Sequence, residues 1–200
     1  MVGVRQFDEQ AVLAQALELF RQKGLRATSM LDLAKVTGVQ RNSLYNAYGD
    51  KEALFLMAFE SYAERLLQAV RKAFSNPDPG RALVAFLEVG IVNMANGVPP
   101  RGCLTTKTAT EPDVLNTAVQ HRLQALLNEM ETIATTSLSS ERARERLVLE
   151  PAITAQVVVT FSRGLAVMER VHQDWVGLRR AAKALVRVLI RDEARRARTK

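Results

Sequence analysis

Apolar residues recur along the chain at the three- and four-residue intervals of α-helices, and glycine, proline and short polar clusters interrupt them. Over residues 7–23, Leu13, Ala16, Leu17 and Phe20 form an i, i+3, i+4, i+7 stripe, with Glu9, Gln10, Gln15, Glu18 and Gln22 on much of the remaining surface. Arg21 and Lys23 in the last turn, with Gly24 beyond, predict the stop. Ser29, preceded by Thr28, supplies an N-cap, and Asp32 stands in for the longer glutamate of a capping box. A short helix carrying Met30, Leu33 and Ala34 inward is therefore predicted to end at Thr37-Gly38. Gly38 can take the left-handed turn between two crossing helices. Val39 then restarts the chain into another short helix, with Leu44 and Tyr48 on one face, and Gly49-Asp50 ends it. Asp50 can cap a fourth helix over residues 51–74, whose inward stripe is Leu54, Phe55, Ala58, Tyr62, Leu66, Ala69 and Val70. The Asn-Pro-Asp-Pro-Gly run at 76–80 terminates it.

The remainder continues in the same period: helices are predicted over 81–96, 112–138, 151–172 and 174–195. A Gly-Val-Pro-Pro-Arg-Gly loop at 97–102, a short segment at 103–109 and a charged, less regular stretch at 139–150 separate them. No sustained alternation of a strand, internal repeat or low-complexity tract interrupts the pattern, so the fold class is all-α.

Composition narrows the class. The apolar share of 48% is enough for a buried core. Lys plus Arg number 28 against 21 Asp plus Glu, a formal net charge of +7 that suits an anionic partner such as nucleic acid. A single cysteine, Cys103, excludes an intramolecular disulfide and fits a reducing compartment. The first ten residues lack the apolar run of a secretory signal, and no run of about 18 uninterrupted apolar residues suggests a membrane span. A cytoplasmic protein is expected. His121 and His172 have no carboxylate or cysteine at ligand spacing, so no metal, cofactor or catalytic group is expected.

The chemistry concentrates in Gly38 to Lys51. Gln40, Arg41, Asn42 and Ser43 stand at the N-terminal end of the third short helix, where free backbone N–H groups and the helix dipole attract phosphate. The same helix keeps Leu44 and Tyr48 for packing, which is the division of labour a recognition helix needs in a major groove. Arginine can grip a guanine edge and asparagine an adenine edge through paired hydrogen bonds. Tyr45 and Lys51 are placed to hold the sugar-phosphate backbone.

The run Thr28-x-x-x-Asp32-Leu33-Ala34-x-x-x-Gly38-Val39-x-x-x-x-Leu44-Tyr45-x-x-Tyr48-x-x-Lys51-x-x-Leu54 resembles the N-terminal signature of the TetR family of bacterial transcriptional regulators. The resemblance is dense over residues 7–55, and Arg101-Gly102-Cys103-Leu104, ending at Glu111, is similar to a motif in one branch of that family. It implies a three-helix DNA-binding head at residues 1–50 and a six-helix ligand-binding and dimerisation body at 51–200. Two chains would pair through their last two helices. By position, Arg41, Asn42 and Asn46 would read bases, while Thr28, Ser29, Gln40, Tyr45 and Lys51 would contact the DNA backbone. Positions 42 and 46, both Asn, depart from the family pattern, in which the first is often small and the second aromatic or His.

The expected function is a dimeric repressor released from double-stranded DNA by a small-molecule effector. Met57, Tyr62 and Leu66 of the fourth helix, with Phe86, Val89, Met94, Leu123, Leu126, Leu127 and Met130, are candidate pocket residues. Two rivals belong to other classes. A ligand-independent architectural DNA binder would lack a cavity in the body. A helical-bundle enzyme would need a nucleophile–base pair, metal cluster or phosphate loop, none of which the sequence carries. Cys103 reads as a packed thiol, Glu111 and Asp113 as acids serving a helix start, and the basic residues from Arg191 to Lys200 as a favourable helix end.

Overall fold

A computed structural model describes residues 7–95, 102–111 and 118–191 of the 200-residue chain. Among the described residues ten helices follow one another: α1 (Glu9–Lys23), α2 (Met30–Thr37), α3 (Arg41–Tyr48), α4 (Lys51–Phe74), α5 (Pro79–Ala95), α6 (Leu104–Ala109), α7 (Ala118–Leu138), α8 (Glu141–Arg146), α9 (Pro151–His172) and α10 (Trp175–Leu189). The all-α reading is the observed fold.

The helix starts follow local chemistry. Asp8 accepts from the N–H groups of Gln10 and Ala11 at 2.9 and 3.2 Å, Asp50 from that of Ala53 at 2.8 Å, and Asp78 from that of Arg81 at 2.8 Å. With Asp78 as cap, α5 opens on Pro79, two residues earlier than its periodicity predicts, since proline suits the first helical position. Within the charged stretch at 139–150, Ser140 caps the single turn-and-a-half of α8.

One predicted boundary is corrected. The last helix does not run to 195; it stops at Leu189, and Ile190 turns extended at φ −107°, ψ 131°. Backbone pairing with a distant strand-like segment causes this. Val148 N–H donates to Leu189 O at 2.9 Å and Arg191 N–H to Arg146 O at 2.8 Å, around a Leu147–Ile190 bridge. The predicted start of α7 at 112 and the basic tail beyond Arg191 lie outside the described residues, as do Arg101 and Asp113.

Packing groups the chain into two units, residues 1–65 with 103–124, and residues 66–102 with 125–200. This grouping differs from a division at residue 50, because α6 and the first turns of α4 and α7 pack with α1 to α3. In the first unit the Phe20 ring meets Phe55 edge-on at 5.1 Å, and Phe55 stacks on Phe59 at 5.6 Å. Leu33, Leu44 and Leu54 are fully buried around them. In the second unit Leu83, Leu87, Ile91, Met94 and Leu126 are fully buried, the Phe74 and Phe86 rings lie 5.4 Å apart, and Ser137 donates to Phe74 O at 2.8 Å. By length and composition alone, α9 could cross a membrane. Its inward Val158, Val159 and Leu165, together with buried Thr154, Ser162 and Glu169, make it a core helix of this unit.

Candidate nucleic-acid interface

The α2–turn–α3 element is anchored from below. Leu33 and Leu44 are fully buried, Tyr48 nearly so, and Thr37 donates its hydroxyl to Leu33 O at 2.7 Å to close the end of α2. Gly38 makes the turn at φ 66°, ψ 8°, a conformation glycine adopts without the Cβ clash other residues incur. With Leu44 and Tyr48 pinned inward, helical geometry sends positions 41, 42, 45 and 46 outward together. Arg41, Asn42, Tyr45 and Asn46 are accordingly exposed, Gln40 just before them is exposed, and Ser43 is half-buried.

Two details of α3 matter for an anionic partner. Gln40 makes no side-chain cap, and the first turn holds no acid, whereas α1, α2 and α4 are each capped by an Asp or Ser side chain. The leading N–H groups of α3 are thus left for a ligand at the positive end of the dipole. The Arg41 guanidinium lies 5.4 Å over the Tyr45 ring and donates to its hydroxyl at 3.4 Å. This cation–π contact holds the arginine fork on the outer face, already partly ordered.

The structure separates the other site residues. Thr28 is 1% exposed and donates its hydroxyl to Gly24 O at 2.6 Å, so its side chain holds the α1–α2 linker. Lys51 is half-buried, with Nζ donating to Arg26 O at 3.3 Å. Ser29 is exposed but engaged in the full capping box, donating to Asp32 Oδ2 at 2.7 Å and accepting from Asp32 N–H at 3.1 Å. These bonds from the Ser29 side chain and backbone, with Lys23 at 3.1 Å, lower the Asp32 pKa from 3.8 to about 2. A depressed carboxylate stabilises the fold above its unfolded pKa and loses that contribution as pH falls through the folded value. The start of α2 is therefore expected to loosen between about pH 4 and pH 2. Amide exchange of Asp32 and Leu33 measures this, and Asp32→Ala should remove that pH dependence.

Sequence reasoning missed two residues that hold this head. Lys107 of α6 donates Nζ to the carbonyls of Arg21, by a short bond, and Gln22, at 3.0 Å, capping the C-terminal end of α1. Glu111, read from sequence as an acid beside a helix start, instead accepts the Arg26 N–H at 2.8 Å. Both reach the linker from about 85 residues away. A Cβ on Gly24, which sits at φ 89°, would collide with the Glu111 carboxylate. The only signal in the sequence was the family-like motif that ends at Glu111. Cys103, on the same segment, is buried and contacts the Thr105 hydroxyl at 3.0 Å.

Among the residues expected to line a pocket, Tyr62, Leu66, Phe86, Met94, Leu123, Leu126 and Met130 are buried, Val89 and Leu127 half-buried, and Met57 is 38% exposed. The Tyr62 ring is engaged by Phe59 at 5.6 Å and by the Arg21 guanidinium at 5.7 Å. A cavity of about 880 Å³ opens elsewhere, on the face formed by α5, α8 and α10 of the second unit.

A helix-turn-helix with an exposed polar α3 defines a DNA-binding class of protein. Comparison places it further. Residues 12–58 match the family model described as bacterial regulatory proteins, tetR family, and residues 79–185 match the tetracyclin repressor-like C-terminal domain. The chain belongs to the TetR family. The HTH-type transcriptional regulator YezE of Bacillus subtilis strain 168 is 32% identical over 108 residues, 54% of this chain and 56% of that protein. The HTH-type transcriptional repressor ComR of Escherichia coli K12 is 30% identical over 118 residues, 56% of each. The alignments therefore span just over half the length of these relatives. Among solved structures, a cysteine mutant of the TetR-family regulator CifR in complex with 26 bp operator DNA superposes with a TM-score of 0.78 at 20% identity, covering 94% of this chain and 99% of that one. That likeness extends to the fold.

Proposed function

We propose that this chain binds a roughly palindromic DNA operator as a homodimer and represses transcription until a small-molecule effector releases it. The observation that carries this reading is the α3 surface. Arg41, Asn42, Tyr45 and Asn46 stand exposed on one face of a helix whose N-terminus is uncapped and free of acids. Arginine and asparagine can each make paired bonds to a base edge there, while the backbone N–H groups and Tyr45 serve phosphates.

The dimer would form through α9 and α10. Ile153, Val167, Met168 and Val171 stand exposed on α9, Val176 and Val188 on α10, and Gly164 faces open space where another helix can approach closely. Two heads must meet half-sites about one helical turn, roughly 34 Å, apart. α4 is one continuous 24-residue helix with residues in each packing unit. An effector in the body would act through that helix. The role is regulatory with no catalytic step, and it belongs in the cytoplasm with the chromosome.

The test is a gel-shift titration against DNA from upstream of the chain's own gene, at two salt concentrations, beside sedimentation velocity. Sequence-preferring retardation that weakens with salt, by a dimer, is the expected result. Val167→Glu with Val171→Glu should yield folded monomers that lose the retardation. Binding indifferent to sequence would favour the architectural reading. A failure to select any sequence from a random pool would end the proposal.

A further inference from the structure

The cavity on the α5–α8–α10 face has a composition that points to a ligand. On α5, positions 81, 84, 85 and 88 fall on one helical face; on α10, positions 183, 186 and 187 do the same, and both sets line the cavity together with Ile190 and Arg191 just beyond the end of α10. Val84 and Ala85 meet Val186 and Ile190 as an apolar floor, with Val186 buried and the other three half-buried. Gly80 keeps the floor open beside Ile190, whose Cγ1 would lie 3.6 Å from any Cβ added there. The Leu147–Ile190 bridge fixes the backbone at one end, and the Arg146–Asp78 ion pair closes it.

The rim is unbalanced in charge. Five cations and two carboxylates line the cavity, and both carboxylates are already engaged. Asp78 caps α5 through the Arg81 N–H and pairs with Arg146, which together hold its carboxyl below the usual range. Glu88 is gripped by Arg179 through bonds of 2.6, 2.9 and 3.0 Å. Lys183, Arg187 and Arg191, all exposed, make no ion pair with a described residue. A basic last turn would serve the α10 dipole anywhere on the helix. Here the cations instead share the stripe that holds the apolar floor, and Lys183 sits well before the last turn. Sequence residues 192–200 carry more Arg and Lys than Asp and Glu, so that segment does not complement the rim.

We propose that this groove binds an amphipathic carboxylate, with its hydrocarbon chain on the Val84–Val186 floor and its anionic head held by Lys183 and Arg187. Guanidinium recognises carboxylate through paired, charge-assisted hydrogen bonds. The stripe from Arg81 to Glu88 rises about 10 Å, the length of a medium-chain acyl group. The volume falls in the range of small-molecule sites. The site stands on its own geometry and is independent of the DNA-binding reading.

The probe is octanoate, with 1-octanol carrying the chain alone and acetate the charge alone. Calorimetry should show one saturable octanoate site per chain, about tenfold tighter than 1-octanol, or ~1.4 kcal/mol. Acetate should not saturate it. Methyl NMR shifts should concentrate on Val84, Val186 and Ile190. Lys183→Gln with Arg187→Gln should weaken octanoate about tenfold while leaving 1-octanol unchanged. Should that variant unfold, Arg81→Gln on the opposite wall provides the second reading. The proposal is overturned if octanoate fails to saturate, if 1-octanol binds as tightly, or if the shifts fall on other methyl groups. A groove covered in solution by a second copy of the chain would give the first of these results.

Discussion

Arg41→Ala should weaken operator binding by about 1–3 kcal/mol, roughly five- to 150-fold, and should flatten the preference at one base pair of each half-site. The size of the effect follows from what the guanidinium is free to do. It is exposed, pairs with no carboxylate among the described residues, and is held over the Tyr45 ring at 5.4 Å. An arginine held in that way gives up less conformational freedom when it meets a guanine edge. The substitution should leave folding stability within about 0.5 kcal/mol, because nothing buried depends on it. Tyr45→Phe separates the two halves of the contact. It keeps the ring beneath Arg41 but removes the hydroxyl, so the expected loss is a few-fold and uniform across sequences. Competition gel shifts against operators changed one base pair at a time make the distinction. A uniform loss for Arg41→Ala would make it a phosphate contact, leaving base reading to Asn42 and Asn46.

Gly24→Ala should be among the most destabilising small substitutions in the first unit, by about 2 kcal/mol or more. Two causes add. At φ 89° a Cβ is strained whatever space surrounds it, and in this case the space is filled by the Glu111 carboxylate. The methyl group must push Glu111 Oε1 aside, which loosens the bond that Oε2 of the same carboxylate accepts from the Arg26 N–H at 2.8 Å. Glu111→Ala alone removes the same bond without strain and should cost about 1 kcal/mol. The double variant should then cost less than the two singles together, because the methyl group added at position 24 has already displaced the carboxylate that the second change deletes. Denaturant unfolding of the four proteins closes the cycle. Strict additivity would mean that the carboxylate and the linker do not interact. The linker leads directly into α2 and α3, so the same variants should lower operator affinity even at temperatures where the chain remains folded.

Both predictions rest on features with different legibility. The face that Arg41 occupies could be read from eight consecutive residues, because the apolar anchors Leu44 and Tyr48 and the polar positions between them obey one helical period. The clamp on Gly24 could not. Lys107 and Glu111 look like ordinary surface charges in their own neighbourhood, and only the folded chain brings them to a linker about 85 residues earlier. Thr28 shows the same limit within the head. Its type and its place before Ser29 suit a backbone contact, yet its hydroxyl turns inward to Gly24 O.

What the sequence determined by itself was everything set by near neighbours: helical period, the caps at Ser29–Asp32 and Asp50, the turn at Gly38, the span of α4 and the polar face of α3. These depend on hydrogen bonds and side-chain spacing within a few residues, which a linear pattern records. Only the tertiary structure decided where α10 stops, which charges hold the α1–α2 linker, and that a groove with an apolar floor and a basic rim lies beside α10. Each of these arises from groups remote in sequence satisfying a backbone bond or bounding a common space, and no local period encodes such a meeting.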